Sequence, residues 1–151
     1  MTLEIRPARA DEAQPVAECV AAAYSKWIPV IGRIPGPMQS DYPGLIARNV
    51  VFVAQQQDQI AGVLVLFPQD GAMLIENIAV HPDYQRGGTG RTLMDFAEEE
   101  ARRAGLSQMA LYTNELMVYN QGYYQRLGYT FTRRETWAEG WHIVWMHKPL
   151  E

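Results

Sequence analysis

The sequence holds a single cysteine, Cys19, so no disulfide can form within the chain, and a reducing compartment is compatible with that. It also lacks a long hydrophobic run: the longest, Ile60 to Phe67, falls far short of the ~18 residues a membrane span needs. Charge of one sign is scarce. Its 13 Lys and Arg against 17 Asp and Glu leave a formal net charge of -4, and nothing suggests a nucleic-acid-binding surface. The start, Met1 to Arg6, carries an acid early and no apolar stretch, unlike a signal peptide. His81, His142 and His147 show no metal-ligand spacing with other residues, so no metal site is expected. Cys19 lies on an apolar helical face and reads as core, not as a nucleophile. These absences leave one cytoplasmic domain, residues 1–151, with no membrane or nucleic-acid partner and, at 48% hydrophobic, enough apolar chain for a core.

Periodicity then orders the elements. Leu3 to Arg6 alternates and predicts a first strand. Asp11 is the expected N-cap of a helix to about Tyr24, with Val16, Cys19, Val20 and Ala23 at helical spacing. From Trp27 to Pro43 the texture changes to prolines and glycines interleaved with Trp27, Ile28, Ile31, Ile34 and Tyr42. That segment reads either as a packed surface loop or as the lid or wall of a substrate site. Val50–Ala54, Ile60–Phe67 and Met73–Val80 predict an antiparallel meander. A helix ending near Gly105 follows, and Met109–Thr113 should return parallel to the fourth strand. A short helix from about Val118 to Leu127 and a hairpin, Tyr129–Trp137 with Trp141–His147, close the chain. The tryptophans of that hairpin read as packing or as a subunit contact. The fold class is α+β: a mixed, mostly antiparallel sheet of about seven strands with one parallel pair, the fourth and fifth, and flanking helices.

The most informative segment is Ile78 to Arg91, where an apolar strand ends at Pro82 and a loop with Gly87, Gly88 and Gly90 opens a helix. Glycines there admit close backbone approach, and the helix start adds unpaired N–H donors and a positive dipole end. Together they make an anion site, most often for phosphate. A P-loop is excluded because its first glycine falls on Gln85 and its lysine is missing. A dinucleotide fingerprint is excluded because neither G-x-G-x-x-G nor its acidic partner is present. What stands is Q-x-x-G-x-G, over Gln85 to Gly90.

This motif, following Val80-His81-Pro82, resembles the [QR]-x-x-G-x-[GA] signature of the GNAT superfamily of acetyl-CoA-dependent N-acetyltransferases. Asn120 to Tyr129 is similar to the family's N-x-x-x-Y-x-x-x-G-[FY] segment, and the element order agrees over nearly the whole chain. The resemblance implies acetyl transfer from acetyl-CoA to a primary amine in a ternary complex, with GNAT fold. It implies a coenzyme A diphosphate on the N–H groups of Arg86, Gly87, Gly88, Thr89, Gly90 and Arg91, with Gln85 heading the loop and both arginines available to phosphate. It assigns the pantetheine arm to backbone groups of Ile78, Ala79 and Val80, with Asn120 also on the cofactor. Tyr124 takes the family's leaving-group position, where a phenol with pKa near ~10 can donate to a thiolate whose conjugate acid sits near ~8.5.

Glu76 is an acid inside an apolar strand. By simple alternation it shares a face with Ile78 and Val80, unless a bulge intervenes. Burial would raise its pKa, which suits a general base acting directly or through water. A strand glutamate satisfied at the sheet surface is the competing reading. Trp27, Ile31, Tyr42 and Asn114 are the candidates for the acceptor site, which would accept a small-molecule or peptide amine. A non-catalytic acyl-CoA sensor on the same fold is the alternative, transfer of a larger acyl group a third reading, and a homodimer is left open.

Overall fold

The computed structural model describes residues 3–151. Alternating and β-branched runs form strands β1 (Leu3–Pro7), β2 (Val51–Gln56), β3 (Gln59–Gln69), β4 (Ala72–Val80), β5 (Gln108–Asn114), β6 (Thr130–Ala138) and β7 (Trp141–Pro149). Helices are α1 (Ala13–Tyr24), α2 (Ile28–Ile31), α3 (Tyr42–Ala47), α4 (Thr89–Arg103) and α5 (Val118–Arg126). The strands make one sheet ordered β1-β2-β3-β4-β5-β7-β6, antiparallel except for β4 with β5. The expected α+β class and its parallel pair are present. No helix among the described residues is long and apolar enough to cross a membrane.

Each sheet face carries its own helical layer. Val16, Cys19, Val20 and Ala23 of α1 pack with Tyr42 and Ile46 of α3 onto Val51, Val53, Val63, Val65 and Ala79. On the opposite face Leu93, Met94, Ala97 and Ala101, one stripe of α4, meet Leu64, Leu66, Met73, Ile75, Met109 and Leu111. Helix α4 stops where Gly105 takes φ 76, with Leu106 N–H bonding Ala101 O at 2.9 Å and Gly105 N–H bonding Arg102 O at 3.0 Å.

Two local expectations need correction. Asp11 does not cap α1: a 3-10 turn, Ala10–Glu12, precedes the helix, and Glu12, the residue before α1, turns its carboxylate back on that turn without a side-chain bond to α1. It accepts from Arg9 N–H at 2.7 Å and, bidentately, from the Arg6 guanidinium at 2.9 and 2.8 Å. The segment from Trp27 to Pro43, expected as a loop rich in proline and glycine, is largely helical turns. It winds into α2, a 3-10 turn at Gly36–Gln39 and the start of α3, which Asp41 caps by accepting from Gly44 N–H at 3.1 Å.

The Arg6 guanidinium holds the Glu12 carboxyl down at about 2, against an ordinary 4.5. A depressed carboxylate stabilises the fold above the unfolded-state pKa, and that stability disappears as pH falls through the folded value. Its full loss is worth at most roughly 3 kcal/mol. Glu12→Gln should therefore lower the urea midpoint at neutral pH, and the gap to wild type should close as pH drops from 4.5 towards 2. A pH-independent gap would assign the effect to packing instead.

Candidate active site

The parallel pair is short: Met73, Leu74 and Ile75 pair with Met109, Ala110 and Leu111, and no further. The cause lies on the other side of β4. There Val65 of β3 pairs with Asn77 while Leu66 pairs with Ile75, leaving Glu76 as the extra residue of a bulge. A bulge bends its strand, while β5 continues to pair with β7 as far as Asn114. The two strands part beyond Ile75, and the site occupies the opening.

The bulge also overturns the alternation expected for Glu76. Ile75 and Ile78, of opposite parity, both pack against the α4-side core. Asn77 instead donates to Tyr42 Oη at 2.9 Å on the α3 side, and the charge of Glu76 acts on the hydroxyls of Tyr42 and Tyr112. Glu76 is half-buried and does not share the face of Ile78 and Val80. Burial raises its pKa, partly countered by the Arg48 charge.

Backbone direction at the end of β4 follows from one bond. His81 N–H donates to Ala61 O of β3 at 2.8 Å, so two-residue alternation turns the backbone groups of Ile78 and Val80 into the opening. Their carbonyls confirm it: Tyr24 Oη donates to Ile78 O and Gln85 Nε2 to Val80 O, each at 3.1 Å. Gln85 thus ties the loop to the strand end. Ala79 borders the opening but packs with the α1-side core.

Gly88 takes φ 79 as the residue before α4, with no side-chain cap. The N–H groups of the first helical turn, Thr89 to Arg91, have no intrahelical acceptor and are presented to an anion. Thr89 is 2% exposed, so its contribution is the backbone N–H. Arg86 is exposed, and Arg91 pairs with Asp95 at 3.2 Å. Sequence reading missed Gly62, which lets this turn sit down on the sheet. A Cβ there would stand 2.9 Å from Leu93 Cδ1 and 3.2 Å from Ala79 O. The available signal was a glycine inside an apolar strand.

Two cavities meet at the opening. One of about 360 Å³ borders Val80, Gly88, Gly90 and Arg91. The other, about 240 Å³, lies beyond the bulge and borders Glu76, Tyr112 and Asn114. Tyr24, Ile78, Asn120 and Tyr124 line both. Tyr124 is the buried residue of α5 at 8% exposed, its ring 5.6 Å from Tyr123 and 6.1 Å from Tyr129, and burial pushes its hydroxyl above the ordinary phenol range.

The acceptor candidates divide. Ile31 lines the second cavity. Trp27 lines the first instead, beside the glycine loop. Tyr42 lines neither: at 2% exposed it is core, donating to Pro37 O at 2.6 Å and accepting from Asn77, and so anchors the 3-10 turn over the second cavity. Asn114 reaches the cavity, but its Oδ1 accepts from Leu116 N–H at 2.9 Å, a local turn contact. Trp137 and Trp141, read as hairpin packing, line the second cavity with Tyr24 and Tyr112, whereas Trp145 is buried packing. Cys19 is core as expected, and burial pushes its thiol up to about 11.

A family model described as an acetyltransferase (GNAT) domain matches residues 47–131, from β2 through the opening and α5. The chain belongs to the GNAT acetyltransferases. It is 29% identical over 105 residues to "Probable N-acetyltransferase 14" of Xenopus tropicalis, a match over 68% of this chain. The chain spans about half the length of that curated relative, of which the match covers 50%. Among solved GNAT structures, the PaiA N-acetyltransferase of Thermoplasma acidophilum in complex with coenzyme A superposes with TM-score 0.78 over 99% of both chains, at 17% identity. A GNAT-family protein of Desulfovibrio desulfuricans reaches TM-score 0.81 over 99% of this chain and 100% of that one, also at 17% identity. At that identity these two show the shared fold. Nourseothricin acetyltransferase is 27% identical, with TM-score 0.61 over 67% of this chain and 65% of that one.

Proposed function

We propose that the protein transfers the acetyl group of acetyl-CoA to the primary amine of a small acceptor by direct attack in a ternary complex. The observation that carries this is the junction of Tyr24, Ile78, Asn120 and Tyr124, shared by a cavity suited to the donor and a separate one beside a half-buried carboxylate. The first has what coenzyme A requires: strand-edge N–H groups for the amides of the pantetheine arm and a glycine-opened helix start for the diphosphate. Tyr24 uses one lone pair of Ile78 O and leaves the other for a pantetheine N–H. A solved relative carrying coenzyme A and relatives named N-acetyltransferases support the same donor.

The roles follow from the chemistry. The amine nitrogen forms a bond to the thioester carbonyl carbon as the carbon–sulfur bond breaks. Glu76, directly or through a water, accepts the proton the amine gives up. An N–H of the Ile78 to Val80 segment stabilises charge on the carbonyl oxygen. Tyr124 donates its proton to the departing sulfur, and bulk water restores it.

Release of free CoA thiol across a panel of amines tests the reading. Acetyl-CoA binding with no thiol release from any amine would instead make the protein an acyl-CoA sensor. Because Glu76 must be ionised to act and burial raises its pKa, kcat/KM should fall as pH drops through a value above the ordinary 4.5. Glu76→Gln should remove that limb and lower turnover by about 10²-fold. A limb retained in the variant would belong to the amine or to water.

A further inference from the structure

The second cavity identifies a class of acceptor. We infer that it takes a small, singly charged primary amine carried on a planar apolar body, an arylalkylamine in chemical class; this rests on the acetyl-transfer reading above. Among the described residues that line the cavity, Glu76 is the one charged group, and none is basic. An acceptor bearing a carboxylate or phosphate would bury that anion without a cationic partner, which is costly. A polyamine would bring several charges to one carboxylate, leaving the others unpaired.

The far wall is aromatic. Tyr112 and Trp137 rings meet at 5.0 Å in an edge-to-face pair, and Trp137 and Trp141 lie 6.2 Å apart. Such walls favour a flat apolar partner stacked or edge-on. Trp137 is held by its indole N–H, which donates to Glu135 Oε1 at 2.7 Å, so the surface is preorganised. The cavity is bridged along one side, while Trp137 stays 45% exposed. Arg33, between α2 and α3, lies 4.8 Å above the outer Trp141 ring and donates to Glu139 O in the β6–β7 turn at 3.4 Å. This tie brings the segment after α2 against the last hairpin, and the cavity, about 240 Å³ and partly open to solvent, is below the range typical for drug-sized ligands. The amine would sit at the junction near Glu76, with its ring towards Trp137 and Trp141.

The test compares 2-phenylethylamine and tryptamine with spermidine, free lysine and an alanyl peptide, by CoA release and by calorimetric binding in the presence of CoA. The arylalkylamines should show the highest kcat/KM by at least tenfold. Trp141→Ala should raise their KM at least tenfold with acetyl-CoA affinity unchanged, and Trp141→Phe should recover part of the loss. Equal or better use of spermidine, lysine or the peptide overturns the acceptor class while acetyl transfer stands. Arylalkylamine binding that Trp141→Ala weakens, with no CoA release from any amine, supports the pocket assignment and overturns acetyl transfer. An unchanged KM in Trp141→Ala overturns the aromatic wall, whatever the activity.

Discussion

Tyr124→Phe is expected to lower kcat by about 10²–10⁴-fold, the usual range for loss of a positioned general acid, while acetyl-CoA affinity stays nearly unchanged. The phenyl ring keeps its packing against Tyr123 and Tyr129. The hydroxyl makes no hydrogen bond among the described residues, so its removal leaves no orphaned partner, and thermal stability should hold. An ordinary phenol is already protonated at neutral pH, as a proton donor must be, and burial pushes this one further that way. Tyr24 supplies the comparison, because its hydroxyl lines the same junction but is engaged by Ile78 O at 3.1 Å. Steady-state kinetics with a good acceptor decide between them. If Tyr124→Phe turns over like wild type and Tyr24→Phe does not, the donor is Tyr24.

The second large effect is structural. Gly62→Val should destabilise the fold by about 1–3 kcal/mol, the usual cost of overpacking, and raise the acetyl-CoA Kd by an order of magnitude or more. The added Cβ alone meets Leu93 Cδ1 at 2.9 Å and the backbone oxygen of Ala79 at 3.2 Å. Leu93 and Thr89, whose Cγ2 would stand 3.3 Å from the same Cβ, both belong to the first turns of α4, so the added bulk is expected to shift the helix start and with it the N–H groups of Thr89 to Arg91. Thermal unfolding and calorimetry with acetyl-CoA measure the two effects. Gly36→Ala, where a Cβ meets nothing within 4 Å, should leave stability unchanged. Wild-type affinity in Gly62→Val would mean that α4 accommodates the side chain without moving the loop.

Much of this site was legible because it is local. Gly87, Gly88 and Gly90 next to an amphipathic helix imply their backbone geometry whatever the rest of the chain does, since neighbours in sequence decide it. Tyr124, one turn from both Asn120 and Gly128, was pointed to by the resemblance of that segment to the family's, not by backbone chemistry. Glu76 was found as a residue but set on the wrong face. Whether a strand residue pairs or bulges depends on the partner's register, and β3 lies outside any window read along β4. Tyr42 and Trp27 meet the same limit: composition marked an aromatic-rich segment but could not say that Tyr42 would turn into the core while Trp27 borders the cavity beside the glycine loop.

The sequence by itself determined the α+β order, the glycine-opened helix start and the resemblance that names the donor, because each rests on short-range pattern and backbone chemistry. Only the tertiary structure made the cavity proposed for the acceptor. Its walls come from Ile31, from Glu76 on a bulge, from Tyr112 and from Trp137 and Trp141 of a hairpin whose second strand inserts between β5 and β6. Residues a hundred positions apart are brought together there by strand pairing and helix packing, and no periodicity along the chain records such a meeting.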